Sequence, residues 1–161
     1  MDPFVCFEHF EKLLTEEVNA LTRLEELLDR EHDLLVANEV DELERAGEAR
    51  QMCIGELMRI EDERRSLCRM MNVTADVAGL ERLLSWCDPT GSLKTRWAAC
   101  ADRAGRCRAA NDRNGALVVA RMKKVEGMLD VLTGKASATK VYGKQGTYEA
   151  SARSSRVQVT V

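Results

Sequence analysis

Cysteine and histidine side chains are the groups in this 161-residue chain that could bind a metal ion or act as nucleophiles. None of the six cysteines forms a Cys-x-x-Cys pair, and the pairing of Cys6 with His9 lacks a second pair of ligands. Four or five of them fall at apolar helical positions, where a reduced cysteine packs as a small hydrophobic residue. The sequence therefore predicts buried, reduced thiols and no metal site; the cysteines are Cys6, Cys53, Cys68, Cys87, Cys100 and Cys107.

Other enzyme signatures are missing from the sequence as well. It contains neither a glycine-rich phosphate-binding loop nor a nucleophile elbow. The densest charge cluster, residues 61–65, is typical of a solvated helix face on which Glu61 and Asp62 can pair with Arg65. We therefore expect no enzyme activity and no cofactor.

Asn111 and Asn114 are polar residues at positions where a helix is expected to be buried. Their three-residue spacing places both on one helical face, and a buried asparagine needs hydrogen-bond partners. One interpretation is a packing device that fixes helix register, like an asparagine at an inward coiled-coil position. The alternative is that both amides bond a partner helix, or the hairpin of the first two helices, at a functional seam.

The composition indicates how such residues are positioned. Aromatic residues make up only 4% of the chain, and nearly half of its residues are Ala, Glu, Lys, Leu or Arg. This composition is typical of long packed helices. In the first predicted helix apolar residues recur every seven positions and form one broad face; they are Phe7, Leu14, Leu21, Leu28 and Leu35.

These patterns predict an all-α fold, an antiparallel bundle of three long helices with a short connecting helix and a flexible C-terminal tail. The helices should cover about residues 3–37, 42–71, 75–86 and 93–132, which gives a bundle of residues 1–132 and a tail of residues 133–161. Asp41, Thr74 and Ser92 are the predicted N-caps of the second, third and fourth helices. Gly105, Gly115 and Gly127 leave the continuity of the last helix open.

Charge is unevenly distributed along the chain. Residues 1–71 contain 19 acidic and 9 basic side chains, whereas residues 72–161 contain 8 acidic and 15 basic ones. We expect the two halves to pack together and complement each other's charge. The basic residues lack interleaved aromatics, so the sequence predicts no nucleic-acid partner.

The last long helix ends in an unusually apolar stretch, which is the best candidate for a functional surface. Seven of its side chains fall within roughly 140° of the helical wheel, more than one packing seam needs; they are Leu117, Val118, Met122, Val125, Met128, Leu129 and Leu132. The alternative is that the bundle's own core covers them. No apolar run approaches the roughly 20 residues that span a bilayer, and the N-terminus lacks a signal-peptide pattern, so we expect a cytoplasmic protein.

In its layout the chain resembles the FlgN-type flagellar export chaperones. Two long amphipathic helices and a short connector precede a helix with Asn-x-x-Asn-Gly, an apolar end and a Tyr-Gly-x-x-Gly tail. The residues that carry the resemblance are Asn111, Asn114, Gly115, Tyr142, Gly143 and Gly146.

The resemblance implies a cytoplasmic chaperone that binds the C-terminal helical segment of flagellar hook-associated (hook–filament junction) proteins. Such a chaperone prevents premature assembly and delivers its clients to the cytoplasmic domain of the flagellar type III export gate. Asn111, Asn114 and the seven apolar residues would then contact the client. Tyr142, Gly143 and Gly146 would dock to the gate. A competing interpretation is a structural coiled-coil scaffold whose apolar helix end associates with a second copy of the chain.

Overall fold

The computed structural model describes residues 1–134, and 88% of them are helical. Four helices follow one another as α1 (Pro3–Ala37), α2 (Val40–Met70), α3 (Val77–Cys87) and α4 (Ser92–Leu132). No strand occurs in this described part of the chain. The predicted all-α fold is therefore confirmed.

The chain divides into two compact units, Met1–Val118 and Val119–Val161. The first contains α1 to α3 and the start of α4. The second contains the end of α4, and the structure describes it as far as Gly134. The division into a bundle of residues 1–132 and a tail of residues 133–161 stays a prediction.

In the first unit, α1 and α2 form an antiparallel hairpin. Asn38 ends α1 in the left-handed conformation with φ of 62°, which asparagine tolerates well. Arg59 and Arg64 of α2 pair with Glu16 and Glu17 near the start of α1, whereas Glu42 at the start of α2 bonds the end of α1. The order of these contacts establishes the opposite directions of the two helices.

The helix starts differ from those expected. Asp41 is not the N-cap of α2, because the helix begins at Val40 after Glu39, which makes no side-chain cap bond. Thr74 is not the N-cap of α3 either. That position belongs to Asp76, which accepts a hydrogen bond from the Gly79 N–H at 2.7 Å.

A buried carboxylate organises the start of α4. Ser92 is the first residue of the helix rather than its cap, and Asp88 accepts bonds from Leu93 N at 2.7 Å and Thr90 Oγ1 at 2.6 Å. Burial alone would raise the pKa of Asp88, but these bonds and those from Ser92 and Gly91 together hold it below the ordinary value of 3.8. The bonds favour the charged form, which suits a helix N-terminus.

α1 supplies the centre of the core. It buries eleven residues over its whole length, and the predicted seven-residue row is buried at Leu14, Leu21, Leu28 and Leu35. α4 makes a much narrower contact: its buried residues are Leu93, Cys100, Cys107 and Asn114, one every seven positions. A single row of this kind is the seam of two packed helices.

Ion pairs complement this core, as the charge distribution predicts. Arginines of α4 reach acidic residues of α1 through Arg96–Glu11 at 3.2 Å and Arg106–Glu25 at 2.8 Å. Each pair is partly exposed and contributes little by itself. Their order along the two helices shows that this part of α4 runs parallel to α1 and therefore antiparallel to α2.

α4 is recorded as one helix through all three of its glycines, which settles the open question of its continuity. A Cβ atom at Gly105, Gly115 or Gly127 would meet no atom within 4 Å. Among residues 1–134, no helix is long and apolar enough to cross a bilayer.

Candidate functional site

Five of the predicted client-binding residues form what we term the terminal stripe: Met122, Val125, Met128, Leu129 and Leu132, all in the second unit. Each is more than half exposed, from 53% at Leu129 to 80% at Leu132. Their spacing of three, four and seven residues places them along one side of α4. The alternative interpretation, in which the protein's own core covers them, is wrong for this structure.

The terminal stripe has the chemistry of a protein-binding surface. Exposed apolar side chains that lie together usually mark an interaction site, whereas scattered ones need no explanation. Met122 and Met128 add flexible, polarizable side chains that adapt to varied neighbours. The stripe contains no group suited to acid–base or nucleophilic catalysis.

The remaining four predicted residues lie in the first unit, where their environments differ. Asn114 is buried, Leu117 is half-buried, and Val118 is 41% exposed. Asn111 is exposed, so its expected burial is wrong. The reason is the single-row contact of α4, because only positions in the series Cys100, Cys107, Asn114 face α1 directly.

Asn114 makes hydrogen bonds inside the fold. Its Nδ2 donates to the carbonyl oxygen of Leu28 in α1 at 2.8 Å, and its Oδ1 accepts from Arg113 Nε at 3.3 Å. This arrangement favours the packing interpretation for Asn114, because both ends of its amide are occupied. A contact between Asn114 and a client stays a prediction.

A cavity of about 410 Å³ opens where the end of α1, the start of α2 and the middle of α4 meet within the first unit. It brings together three of the predicted residues with residues of the hairpin. Its lining consists of Glu31, Leu35, Leu43, Gly47, Arg50, Asn111, Asn114, Gly115 and Val118. The sequence interpretation recognised the α4 side of this cavity and missed the side formed by α1 and α2.

Glu31 and Arg50 give this cavity a polar interior. Glu31 is only 4% exposed although it lies in the middle of an apolar helix face. Its carboxylate faces Arg50 Nη1 at 3.5 Å. The sequence signal was Arg50, a charged residue that interrupts the apolar row of α2 and whose guanidinium was expected to reach water or a carboxylate.

A wider depression of about 860 Å³ lies beside α3 and the start of α4, around Trp86 and Lys94. Every residue that lines it is exposed. It is an open area of surface rather than a cleft, so we assign it no function.

The thiols are buried in the first unit, as predicted, and all six cysteines are free. Burial raises the pKa of Cys6 to about 12 and that of Cys100 to about 11. Such thiols are poor nucleophiles near neutral pH, because the reactive thiolate is scarce.

The layout of helices and the position of the apolar end can now be set beside known proteins. A family model described as FlgN protein matches residues 1–150. The chain belongs to the FlgN family. No curated protein and no solved structure matches it significantly.

Membership gives the chain a general role. FlgN proteins are flagellar export chaperones, a chaperone family rather than an enzyme family, and they bind flagellar proteins. The matched segment includes Tyr142, Gly143 and Gly146, the predicted gate-docking residues of this FlgN protein. These three residues lie outside the described part of the chain, so their role stays a prediction.

Proposed function

We propose that this FlgN protein binds the C-terminal helical segment of flagellar hook-associated proteins through the terminal stripe. By covering that segment it prevents premature assembly, and it delivers the client to the cytoplasmic domain of the flagellar export gate. The exposure of the five apolar residues at the end of α4 is the observation that carries the proposal. The family assignment supports a chaperone role in flagellar export.

The physical basis is burial of apolar surface. An amphipathic client helix recognises its partner through anchors at i, i+3, i+4 and i+7. Met122, Val125 and Leu129 provide this spacing, with Met128 and Leu132 beside them. Asn111, Leu117 and Val118 are additional proposed contacts, since they are partly or fully exposed on the same helix.

Delivery to the export gate is assigned to the segment around Tyr142. This part of the proposal rests on the Tyr-Gly-x-x-Gly pattern of the sequence and its resemblance to other FlgN-type chaperones. Replacing Tyr142 with Ala should abolish gate binding in a pull-down and leave client binding unchanged. Loss of both activities together would contradict the separation of the two roles.

Client binding can be tested with one substitution at two matched positions. Val125 lies in the terminal stripe and Val119 lies outside it, yet both are valines of the same helix with exposures of 54% and 52%. Val125→Asp should abolish binding of a hook-associated protein segment in a calorimetric titration, because it places a charge in an apolar contact. Val119→Asp should bind like the unmodified chain.

Circular dichroism of both variants controls for folding, since exposed positions tolerate aspartate with little loss of helix. Equal affinity of the two variants for the client would remove the basis of the proposal. The scaffold alternative predicts instead that Val125→Asp converts a concentration-dependent oligomer into a monomer. Light scattering of the unmodified chain at several concentrations, without client, separates the two.

A further inference from the structure

The cavity of the first unit contains charges that the fold itself does not fully use. Three polar or charged residues are buried in the described chain: Glu31, Asp88 and Asn114. Asp88 accepts hydrogen bonds at the start of α4, and Asn114 bonds α1. Glu31 is the one buried carboxylate that lines a cavity.

The pairing between Glu31 and Arg50 is loose. Their closest atoms are 3.5 Å apart, whereas direct contacts between a guanidinium and a carboxylate are about 2.7–2.9 Å. Arg50 Nε is buried and has no acceptor among residues 1–134. A buried donor without an acceptor is unfavourable and rare in folded proteins. The cavity therefore presents a donor that needs an acceptor, next to a carboxylate that can accept further bonds.

A ligand that satisfies both groups must accept and donate at adjacent atoms. A carboxylate ligand would face the negative charge of Glu31, and an ammonium ligand would face the positive charge of Arg50. A purely apolar group would leave Arg50 Nε unpaired. A carboxamide is neutral and carries a carbonyl oxygen beside an NH₂ group, so it can accept from Arg50 and donate to Glu31.

The walls of the cavity suit the remainder of such a side chain. Leu35, Leu43 and Val118 contribute apolar surface, and Gly47 and Gly115 have no side chains that would fill the space. The exposed amide of Asn111 also lines the cavity and can bond an incoming main chain or side chain. At about 410 Å³ the cavity falls within the range of about 300–1,000 Å³ found for ligand sites.

We propose that this cavity binds the carboxamide of a glutamine or asparagine side chain presented by a helical partner. The carbonyl oxygen accepts from Arg50, and the NH₂ group donates to Glu31. The identification of the partner as the flagellar client rests on the proposed function. The cavity thereby gives an otherwise apolar recognition a polar position, since an anchor that lacks the amide leaves Arg50 unpaired.

The cavity can be tested without any client. Butanamide is titrated into the ¹⁵N-labelled full chain while the side-chain Nε–H signal of Arg50 is followed by NMR. The signal is assigned by its loss in Arg50→Lys. We expect a saturable shift with butanamide and no such shift with butanoate or butylammonium. The Nε–H signal of Arg30, whose pair with Glu42 is exposed and also joins α1 to α2, serves as the control.

A second measurement tests the partner. Each glutamine and asparagine of a hook-associated C-terminal segment is replaced with alanine, and binding to the full chain is titrated. One replacement should weaken binding about tenfold, because a hydrogen bond to a charged group is lost. The same replacement should have less than about a twofold effect on binding to Arg50→Lys, and the full effect on binding to Arg30→Lys.

The outcomes separate the two proposals. No shift of the Arg50 signal with butanamide, or an equal shift with butanoate, overturns the carboxamide site whatever the client does. Client binding without any amide that couples to Arg50 overturns its role in recognition and leaves the function of the terminal stripe intact. Absence of client binding contradicts the proposed function, while the butanamide titration still decides the chemistry of the cavity.

Discussion

Leu129→Ala separates a free binding surface from a structural one. Leu129 is 53% exposed in the terminal stripe, whereas Leu28 of α1 is 1% exposed in the core. The same substitution at the two positions should therefore change different quantities. Leu129→Ala should change affinity for the client, and Leu28→Ala should change the stability of the fold.

The magnitudes follow from the exposed fractions. The substitution removes three carbon atoms, each worth about 0.8 kcal/mol when fully buried. About half of this, or about 1.2 kcal/mol, is still available to a partner at Leu129, and its loss corresponds to roughly an eightfold weaker complex. The effect on folding at Leu129 should be no larger, because alanine is also the better helix former. Leu28→Ala should cost about 2–5 kcal/mol of unfolding free energy.

Urea denaturation of both variants and calorimetric titration with a hook-associated segment measure these quantities. The reasoning is refuted if Leu129→Ala destabilises the fold as strongly as Leu28→Ala, since Leu129 would then be covered within the protein. It is equally refuted if Leu129→Ala leaves client affinity unchanged.

Three further predictions concern the fold. The low pKa of Asp88 contributes stability that is present above pH 3.8 and is lost as the pH falls through the lower pKa of the folded state, so Asp88→Asn should flatten the acid side of the stability profile measured by circular dichroism. Gly105→Ala should raise the unfolding free energy by about 1 kcal/mol in urea titrations. Gly79→Ala should lower it, because its Cβ would collide with the backbone of Thr74. Cys6, with a pKa of about 12, should resist alkylation at pH 8 until urea unfolds the chain, as followed by mass spectrometry; rapid labelling of the folded protein would contradict its burial.

The periodicity of α1 made the centre of the fold predictable. An apolar residue every seven positions is a strong signal when the buried face is broad, and Leu14, Leu21, Leu28 and Leu35 are buried as the pattern indicates. The helix starts were harder to predict. Several residues that can serve as caps lie close together before α3 and α4, and sequence alone does not say which carboxylate reaches the free N–H groups. Asp76 and Asp88 do so, rather than Thr74 and Ser92.

The candidate site was predictable in part for the same reason. The run of apolar residues after Gly115 pointed to the end of α4, and the structure shows those side chains exposed. Whether Asn111 is buried depends on the width of the α4 contact, which a periodic pattern does not define. The partnership of Glu31 and Arg50 joins two helices, so no spacing within either one could show it.

The contacts that join α4 to α1 have a consequence for the order of assembly. Those from Arg96, Arg103, Cys107 and Asn114 connect residues 81–86 positions apart, whereas the hairpin contacts from Arg30 and Arg64 span 12 and 47 positions. Closing a long loop costs more entropy than closing a short one. We therefore expect α1 and α2 to pair during synthesis while one side of α1 waits for α4. A nascent chain halted before Asn114 would keep that leucine-rich side uncovered and open to mispairing on the ribosome.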